Sequence, residues 1–426
     1  MDKRIQALCD FLNRSHSVYH AAAAVVQQLE AAGYTLLREQ DSWELVPGGK
    51  YYLVRGGSSV IAFRIPEGSP RGFLMSASHS DRPTFKVKEN YEVCGNYTRM
   101  EVERYGGMLM STWMDRPLSI AGRVTVETED GVEVKLVDVD KDLLLIPNVA
   151  IHMNRQINDG HKWNPAVDML PLMGGKQTKG KLDAMLEQLA GGKILGKDLF
   201  LYVRQGASVW GVDEEYISSA ALDDLECVWG CTQGFLKAEM SESIPVLCVF
   251  DAEEIGSISV QGAASTLLPD VLNRISRAVG VETERLLAQS FMVSADNAHA
   301  VHPNHPEMAD PANAPVMGEG IVLKYNAAMS YCTDGVSAAI FRKTCARAGA
   351  KTQIFYNRAD IPGGSTLGRI SLGKVSIPTV DIGLPQLAMH SVYETAAVAD
   401  IADLEAAMTT YYSSTLEATE AGYSLK

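Results

Sequence analysis

Two adjacent carboxylates, Glu253 and Glu254, follow an apolar run at residues 245–250. The run predicts a buried strand, and the two acids stand where that strand should end. At the turn after a strand, neighbouring side chains can face one cavity, so that one carboxylate binds a metal ion while the other moves protons. That division of roles is what a metal-dependent hydrolase needs. Taken alone, such a pair is more often a solvated turn or a helix start.

Other apolar segments also end in side chains that can bind metals. They are residues 72–78 before His79 and Asp81, residues 290–294 before Asp296 and His299, and residues 378–382, which lead to His390. The carboxylates Asp223 and Asp224 interrupt a further apolar segment that looks helical. Singly, each histidine could be a core residue and each aspartate a helix cap. Because ligands of open α/β sheets gather at the carboxyl ends of strands, the set together predicts a metal site.

The order of predicted elements indicates a catalytic part that is discontinuous in sequence. Residues 4–32 are predicted to form one helix. Between residues 93 and 216 the predicted strands are short, and the Asp-Gly pair at residues 130–131 is a strong hairpin signal. Helices and strands alternate again afterwards. We therefore predict an inserted β-rich domain at residues 93–216, within a catalytic domain made of residues 1–92 and 217–426.

The composition excludes several classes of protein. With 426 residues, 46% of them hydrophobic, and a mean hydropathy of −0.03, a soluble globular protein is expected. The formal net charge of −14 argues against a nucleic-acid partner, since such proteins neutralise phosphates with clustered Lys and Arg. No secretory signal or bilayer-spanning run is recognised, so no membrane association and a cytoplasmic location are expected. The seven cysteines are scattered, which favours reduced thiols.

Several segments match the motifs of one family in the right order. They are residues 79–83, 105–107, 113–118, 222–225, 251–257, 294–304 and 387–391. In these motifs the chain closely resembles the aspartyl aminopeptidase family of dinuclear zinc metallopeptidases, nearly from end to end. The resemblance implies an α/β fold: a three-layer exopeptidase domain on a mixed sheet, with an inserted β-rich dimerisation and assembly domain. It also implies a cytosolic enzyme that acts on peptide substrates and self-assembles as a homododecamer built from dimers.

The resemblance also implies the metal and proton-transfer roles. It implies two zinc ions per subunit bridged by Asp223, and manganese or cobalt can share such O/N sites. The other implied ligands are His79 and Asp296 for one ion, and Glu254 and His390 for the other. Glu253 would be the general base, and Asp81 would fix the tautomer of His79.

Three further residues are given catalytic or substrate-binding roles by the resemblance. His152 matches a family histidine that reaches into a neighbouring subunit's site and hydrogen-bonds the oxyanion, which makes activity depend on assembly. Lys324 matches a lysine suited to pairing with an acidic first residue of the substrate, and an ordinary exposed lysine is the alternative. Met389 is expected to line the same substrate site.

The expected reaction is removal of one N-terminal residue, Asp or Glu, from peptides. A neutral- or broad-specificity aminopeptidase on the same scaffold is one alternative, and a deacylase shares the two-metal chemistry. A catalytically silent shell or cargo scaffold is the alternative outside enzymes, but such a protein would be free to lose the ligands and Glu253. The chain departs from the family pattern at Arg82, Asp224 and Gly363. None of these three is a ligand, but Arg82 and Asp224 can alter the electrostatics of the site.

Overall fold

The computed structural model describes residues 2–426. Within this range the helices are α1 Lys3–Leu12, α2 Val18–Ala31, α3 Pro165–Asp168, α4 Lys181–Ala190, α5 Leu222–Lys237, α6 Leu267–Val279, α7 Thr283–Leu287, α8 Gly335–Ala348, α9 Leu367–Leu372 and α10 Val398–Tyr412. The strands are β1 Thr35–Leu36, β2 Lys50–Arg55, β3 Ser59–Arg64, β4 Phe73–His79, β5 Thr84–Cys94, β6 Tyr97–Tyr105, β7 Leu118–Glu127, β8 Val132–Asp138, β9 Leu172–Gly175, β10 Ile194–Val203, β11 Ser208–Trp210, β12 Tyr216–Ser219, β13 Ile244–Phe250, β14 Phe291–Ala295, β15 Ala298–His299, β16 Ile321–Tyr325, β17 Thr352–Tyr356, β18 Thr379–Gly383, β19 Pro385–Leu387, β20 Glu394–Ala397, β21 Leu416–Thr419 and β22 Gly422–Leu425.

A nine-stranded mixed sheet carries the elements around the predicted site, in the order β1-β2-β3-β13-β4-β14-β18-β16-β17. Its central strands β13, β4, β14 and β18 are parallel neighbours, and β3 and β16 run antiparallel to them. The central strands are apolar throughout because both of their faces are covered. In β13, for example, Val246 and Cys248 pack into one core while Leu247 and Val249 pack into the other.

Helices cover both faces of this sheet. One core contains side chains of α1, α2, α5, α8 and α10, and the other contains side chains of α6, α7 and α9. Gly234 of α5 faces Met408 of α10 so closely that a Cβ atom at Gly234 would overlap Met408, so glycine is needed for this approach. The result is a three-layer α/β fold on a mixed sheet, as predicted.

A six-stranded antiparallel sheet, in the order β8-β7-β10-β5-β6-β9, packs around a core of its own. Its hairpin β7–β8 turns at the predicted Asp-Gly pair. The sheet runs from Thr84 to Val203, whereas the inserted domain was predicted at residues 93–216. The sheet starts earlier than predicted because β5 belongs to it, pairing with both β6 and β10. It ends earlier because β11 and β12 lie in a separate five-stranded sheet with β20, β19 and β15.

The single helix predicted at residues 4–32 is wrong, because the chain forms two helices there. The hydroxyl of Ser15 donates to the backbone oxygen of Phe11 at 2.7 Å, and Ser17 has an extended backbone just before α2. Serine and asparagine compete with helical hydrogen bonds, and the break falls in a stretch rich in them. Among residues 2–426, no helix combines the length and the apolar character that crossing a membrane requires.

Candidate active site

The carboxyl ends of the central parallel strands lie side by side at one edge of the nine-stranded sheet. His79, the last residue of β4, is in register with Phe250 of β13, and Ala295 of β14 is in register with Ile382 of β18. The loops after β13, β14 and β18 therefore start at neighbouring positions. These loops, together with the start of α5, carry the predicted ligands.

The predicted ligands converge in two groups that share Asp223. His79, Asp223 and Asp296 offer ligand atoms within 4.8 Å of one another, and so do Asp223, Glu254 and His390. The two oxygens of Asp223 face different histidines, with Oδ1 3.6 Å from His79 Nε2 and Oδ2 3.2 Å from His390 Nε2. A carboxylate with this arrangement can bridge two cations.

The chemistry of these side chains fits zinc. Oδ1 of Asp223 and Oε1 of Glu254 are buried and accept no hydrogen bond from any of residues 2–426. Burying a carboxylate oxygen without a partner is costly, so these atoms require a cation or another donor. Imidazole nitrogens and carboxylate oxygens are the ligands that catalytic zinc takes. The cluster therefore supplies the donor types and the free acceptor atoms that zinc needs.

A single buried carboxylate, Asp81, contacts three of the predicted site residues. His79 Nδ1 lies 3.1 Å from the backbone oxygen of Asp81 and 3.4 Å from its Oδ1. The backbone N–H groups of Glu253 and Glu254 donate to its carboxylate at 3.1 and 3.2 Å, and the hydroxyl of Tyr105 donates at 2.7 Å. Asp81 thus offers acceptors to His79 Nδ1 and also holds the loop after β13, and its role in fixing the tautomer of His79 stays a prediction.

A cavity of about 320 Å³ opens at this cluster, in the range of small-ligand pockets. Its walls include His79, Asp223, Glu253, Asp296, His299, Lys324, Tyr331, Phe355, Met389 and His390. Of the predicted site residues, Asp81, Glu254 and His152 are not part of the cavity wall. Met389 therefore lies in the cavity wall, and its contact with a substrate stays a prediction.

Burial changes the proton affinity of the acids in the cavity. It raises the pKa of Glu253 to about 8, with Asp296 acting in the same direction and His79 opposing it. Burial also favours a raised pKa for Asp223, but the nearby imidazoles of His390 and His79 outweigh it and lower the pKa. Asp223 is therefore ionised between the histidines, while burial makes Glu253 bind a proton more tightly than an exposed glutamate does.

The family model described as "Aminopeptidase I zinc metalloprotease (M18)" matches residues 11–412. The chain belongs to the M18 family. It is 41% identical over 421 residues to the "Probable M18 family aminopeptidase 2" of Clostridium acetobutylicum, covering 95% of this chain and 97% of the relative. A protein of the same description from Pseudomonas aeruginosa is 39% identical, covering 96% of this chain and 98% of the relative. The protein is therefore a metalloaminopeptidase, and the resemblance predicted from its motifs is confirmed.

Solved M18 structures share the fold. A chain solved in "Cryo-EM structure of the Ape4 and Nbr1 complex" superimposes with a TM-score of 0.93 at 33% identity, covering 96% of this chain and 85% of its own. The "Structure of S. cerevesiae mApe1 dodecamer" gives 0.84 at 26% identity, with 96% and 95% covered. An M18 aminopeptidase from Thermotoga maritima, at 20% identity and a TM-score of 0.85, agrees in fold, with 96% and 95% covered. The predicted fold class is confirmed.

In this M18 chain Lys324 is buried, with 2% of its surface exposed, so the alternative of an exposed lysine is wrong. Its ammonium group donates to the backbone oxygens of Asp296 and Asn297 at 2.6 and 3.2 Å, and to Asp296 Oδ1 at 3.3 Å. Burial favours a lowered pKa for Lys324, but the charge of Asp296 outweighs it and raises the pKa. Lys324 is therefore a fixed positive charge at the cavity wall, and all three of its donors are in use.

Two buried residues that the sequence analysis did not assign to the site, Glu394 and Asn297, also hold the M18 site together. Glu394 accepts hydrogen bonds from the backbone N–H groups of His390 and Asp223. Asn297 Nδ2 donates to the backbone oxygen of Leu222 and to two buried side chains. The sequence signal for both was weak: a polar residue close to a predicted ligand, at the edge of an apolar stretch.

The departures from the family pattern at Arg82 and Asp224 have structural partners. Arg82 donates to the backbone oxygen of Ser15 at 2.8 Å, in the turn between α1 and α2. Asp224 is fully buried, and its Oδ2 accepts the backbone N–H of His79 at 3.1 Å. Neither side chain forms part of the cavity wall. Asp224 thus supports the end of β4 rather than contacting a substrate.

His152 lies outside the cavity, in an exposed stretch that we call the insert loop, residues 148–163. Its neighbours Ile151 and Met153 are 47% and 83% exposed. None of the side-chain hydrogen bonds found among residues 2–426 involves the imidazole of His152. The chain by itself therefore does not bring His152 to the site, and its role in a neighbouring subunit stays a prediction.

Proposed function

We propose that each subunit of this M18 aminopeptidase binds two zinc ions. His79, Asp223 and Asp296 hold one ion in this proposal, and Asp223, Glu254 and His390 hold the other. The observation that carries the proposal is the sharing of Asp223 by two ligand groups, with one carboxylate oxygen toward each histidine. Together the two groups offer three carboxylates and two histidines, which are ligand types that catalytic zinc takes.

Zinc ions held by these residues would lower the pKa of a water molecule and polarise the scissile carbonyl. In our proposal Glu253 takes the proton of the attacking water and delivers it to the nitrogen of the leaving peptide. Glu253 suits this role because it faces the cavity and is not one of the proposed ligands. Asp81 supports the step by keeping a proton on His79 Nδ1 and by holding the backbone of Glu253.

We also propose that the cavity prefers peptides that begin with Asp or Glu. Lys324 supports this preference, because a fixed positive charge in a buried cavity attracts a substrate carboxylate strongly. Its donors already contact Asp296 and Asn297, so the attraction rests on charge rather than on a new hydrogen bond. A neutral or broad specificity is the alternative, and it follows if Asp296 neutralises that charge.

Self-assembly completes the proposal: a cytoplasmic homododecamer built from dimers, with the inserted domain predicted at residues 93–216 as the assembly domain. A related M18 protein of known structure is a dodecamer. The insert loop supports an intersubunit role because it exposes Ile151 and Met153, and exposed apolar side chains next to one another mark interaction surfaces. In this arrangement His152 hydrogen-bonds the oxyanion in a neighbouring subunit's cavity.

The test measures the release of free amino acid from matched peptides. The protein is first stripped of metal with a chelator and then supplied with zinc, manganese or cobalt. Peptides beginning with Asp, Glu, Leu or acetyl-Asp are compared. Metal-restored cleavage of free Asp and Glu peptides, with no cleavage of acetyl-Asp peptides, is expected. Cleavage of the acetylated peptide would instead indicate a deacylase, and preference for Leu would overturn the substrate proposal. No cleavage with any metal would favour the silent scaffold.

A further inference from the structure

Glu394, the first residue of β20, connects two segments that carry proposed ligands. It is 2% exposed, and its two oxygens accept different backbone N–H groups. Oε1 accepts from His390 at 2.7 Å and Oε2 accepts from Asp223 at 2.9 Å. Asp223 and Glu394 are 171 residues apart in sequence, so this one side chain ties the start of α5 to the turn before β20.

The two backbone positions that Glu394 holds are unusual. His390 has φ +65°, in the left-handed region that side chains other than glycine rarely adopt. Asp223, at the start of α5, has φ −79° and ψ 107°, which is not helical. A strained or irregular backbone persists only where surrounding contacts determine it. If Glu394 accepted neither N–H group, both would lose a partner inside the protein, which is costly.

We infer that Glu394 is a positioning residue that raises zinc affinity by fixing the backbone of Asp223 and His390. It contacts neither substrate nor the reacting atoms, and acts only through these two residues. The inference rests on the proposed function, because it takes Asp223 and His390 as ligands. The role parallels that of Asp81, which holds the backbone of Glu253 and Glu254. Mutating a residue that hydrogen-bonds a metal ligand without binding the metal itself typically lowers metal affinity 10- to 100-fold.

The chain contains a matched control in Asp400. Asp400 is fully buried in α10, and its two oxygens accept the backbone N–H groups of Gly318 and Gly320, both at 2.7 Å. It therefore makes the same kind of double backbone contact as Glu394, but on a loop that carries no proposed ligand. Any general cost of weakening such a contact should be common to both positions.

The experiment measures zinc affinity of the full-length protein by competition with a fluorescent chelator, for wild type, Glu394→Gln and Asp400→Asn. Each substitution keeps the volume of the side chain but replaces one acceptor oxygen with an N–H₂ group. Because that group is a donor, it cannot accept the hydrogen bond of the backbone N–H that it faces. Melting temperatures of the chelated proteins are recorded in parallel. We expect zinc affinity to fall about 10- to 100-fold in Glu394→Gln and to stay within about threefold in Asp400→Asn, although both variants melt earlier.

Wild-type affinity in Glu394→Gln, or an equal loss in Asp400→Asn, would overturn the inference while leaving the proposed function intact. A wild-type protein that binds no zinc would instead contradict the proposed function. If Glu394→Gln does not fold, Glu394→Asp takes its place, because it keeps a carboxyl group but is too short to reach both N–H groups. Glu394→Asp should then bind zinc at least about tenfold more weakly than wild type, and unchanged affinity overturns the inference.

Discussion

The proposed metal site and the insert loop hold their functional side chains in opposite ways. At the metal site His79 and Asp223 are 1% and 3% exposed, and their neighbours Asp81 and Glu394 contact them on the side away from the cavity. In the insert loop His152 is exposed and Met153 is 83% exposed. The metal site is organised by contacts within this chain, whereas the insert loop presents its side chains to solvent or to a neighbouring subunit.

This difference separates two requirements of the reaction. Ligands must be held within a fraction of an ångström of a productive arrangement, which requires rigid elements and supporting hydrogen bonds. A donor to the oxyanion can come from another subunit, provided that assembly brings it there. We therefore expect metal binding and proton transfer to be properties of one chain, and stabilisation of the oxyanion to be a property of the assembly.

The largest effect is expected from Glu253→Gln, which tests the region organised within one chain. The amide cannot accept the proton of the attacking water, so kcat should fall about 10³-fold. Zinc affinity should stay close to that of wild type, because Glu253 is not a proposed ligand. Steady-state kinetics and chelator competition measure the two quantities. Glu129→Gln, in an exposed turn, is the matched control. If zinc affinity falls by as large a factor as kcat, Glu253 is a metal ligand rather than the general base.

A smaller loss is expected from His152→Ala, which tests the insert loop. Removing one oxyanion donor should lower kcat about 10²-fold, with no change in melting temperature because the side chain is exposed. His305→Ala, another exposed histidine, is the control.

The same variant can show which subunit supplies the donor. Assemblies that mix His152→Ala and Glu253→Gln subunits contain cavities with an intact Glu253 and a neighbour's intact His152. Their activity should therefore exceed the sum of the two parent variants. Activity no greater than that sum, or full activity in an isolated wild-type monomer, would place His152 in its own subunit or outside the reaction.

Four of the five predicted ligands could be found in the sequence because they come after apolar strands, and parallel strands bring their carboxyl ends to one edge. Asp223 is the exception, because it interrupts a segment predicted to be helical. The run before His79 and the run before Asp296 became the neighbouring strands β4 and β14. The Asp-Gly hairpin was predictable for a similar reason, since its signal is local. Local signals therefore sufficed for the residues that the fold brings together directly.

The supporting residues could not be predicted because their roles depend on distant contacts. Glu394 reaches Asp223 across 171 positions of sequence, and no local pattern encodes that pairing. The burial of Lys324 could not be predicted either, because no local pattern distinguished the substrate-pairing role implied by the resemblance from an ordinary exposed lysine. The predicted helix at residues 4–32 failed because serine and asparagine, which compete with helical hydrogen bonds, outweighed helical periodicity at residues 13–17.

Lys324→Met tests whether the charge in the cavity wall serves the substrate or only Asp296. The measured quantity is the ratio of kcat/KM for Asp peptides to that for Leu peptides, because damage to Asp296 lowers both terms equally. Losing a charge–charge attraction worth about 1.4 kcal/mol should reduce the ratio about tenfold. Lys50→Met, an exposed lysine, is the control. If both kcat/KM values fall but their ratio is unchanged, Lys324 serves to hold Asp296 rather than to attract the substrate. That result would favour broad specificity.

The smallest expected effect is the rise in melting temperature that zinc causes. It should depend on residues of the metal site and not on residues of the insert loop. Zinc that binds only the folded protein should raise the melting temperature of chelated wild type by roughly 3–6 °C at saturating concentration. Asp223→Asn should lose most of this rise, because both ligand groups include Asp223. His152→Ala should keep all of it, since the insert loop contributes no proposed ligand. Thermal unfolding with and without zinc measures these shifts. A reduced rise in His152→Ala would mean that the insert loop is coupled to the metal site, and the two regions would then not be independent.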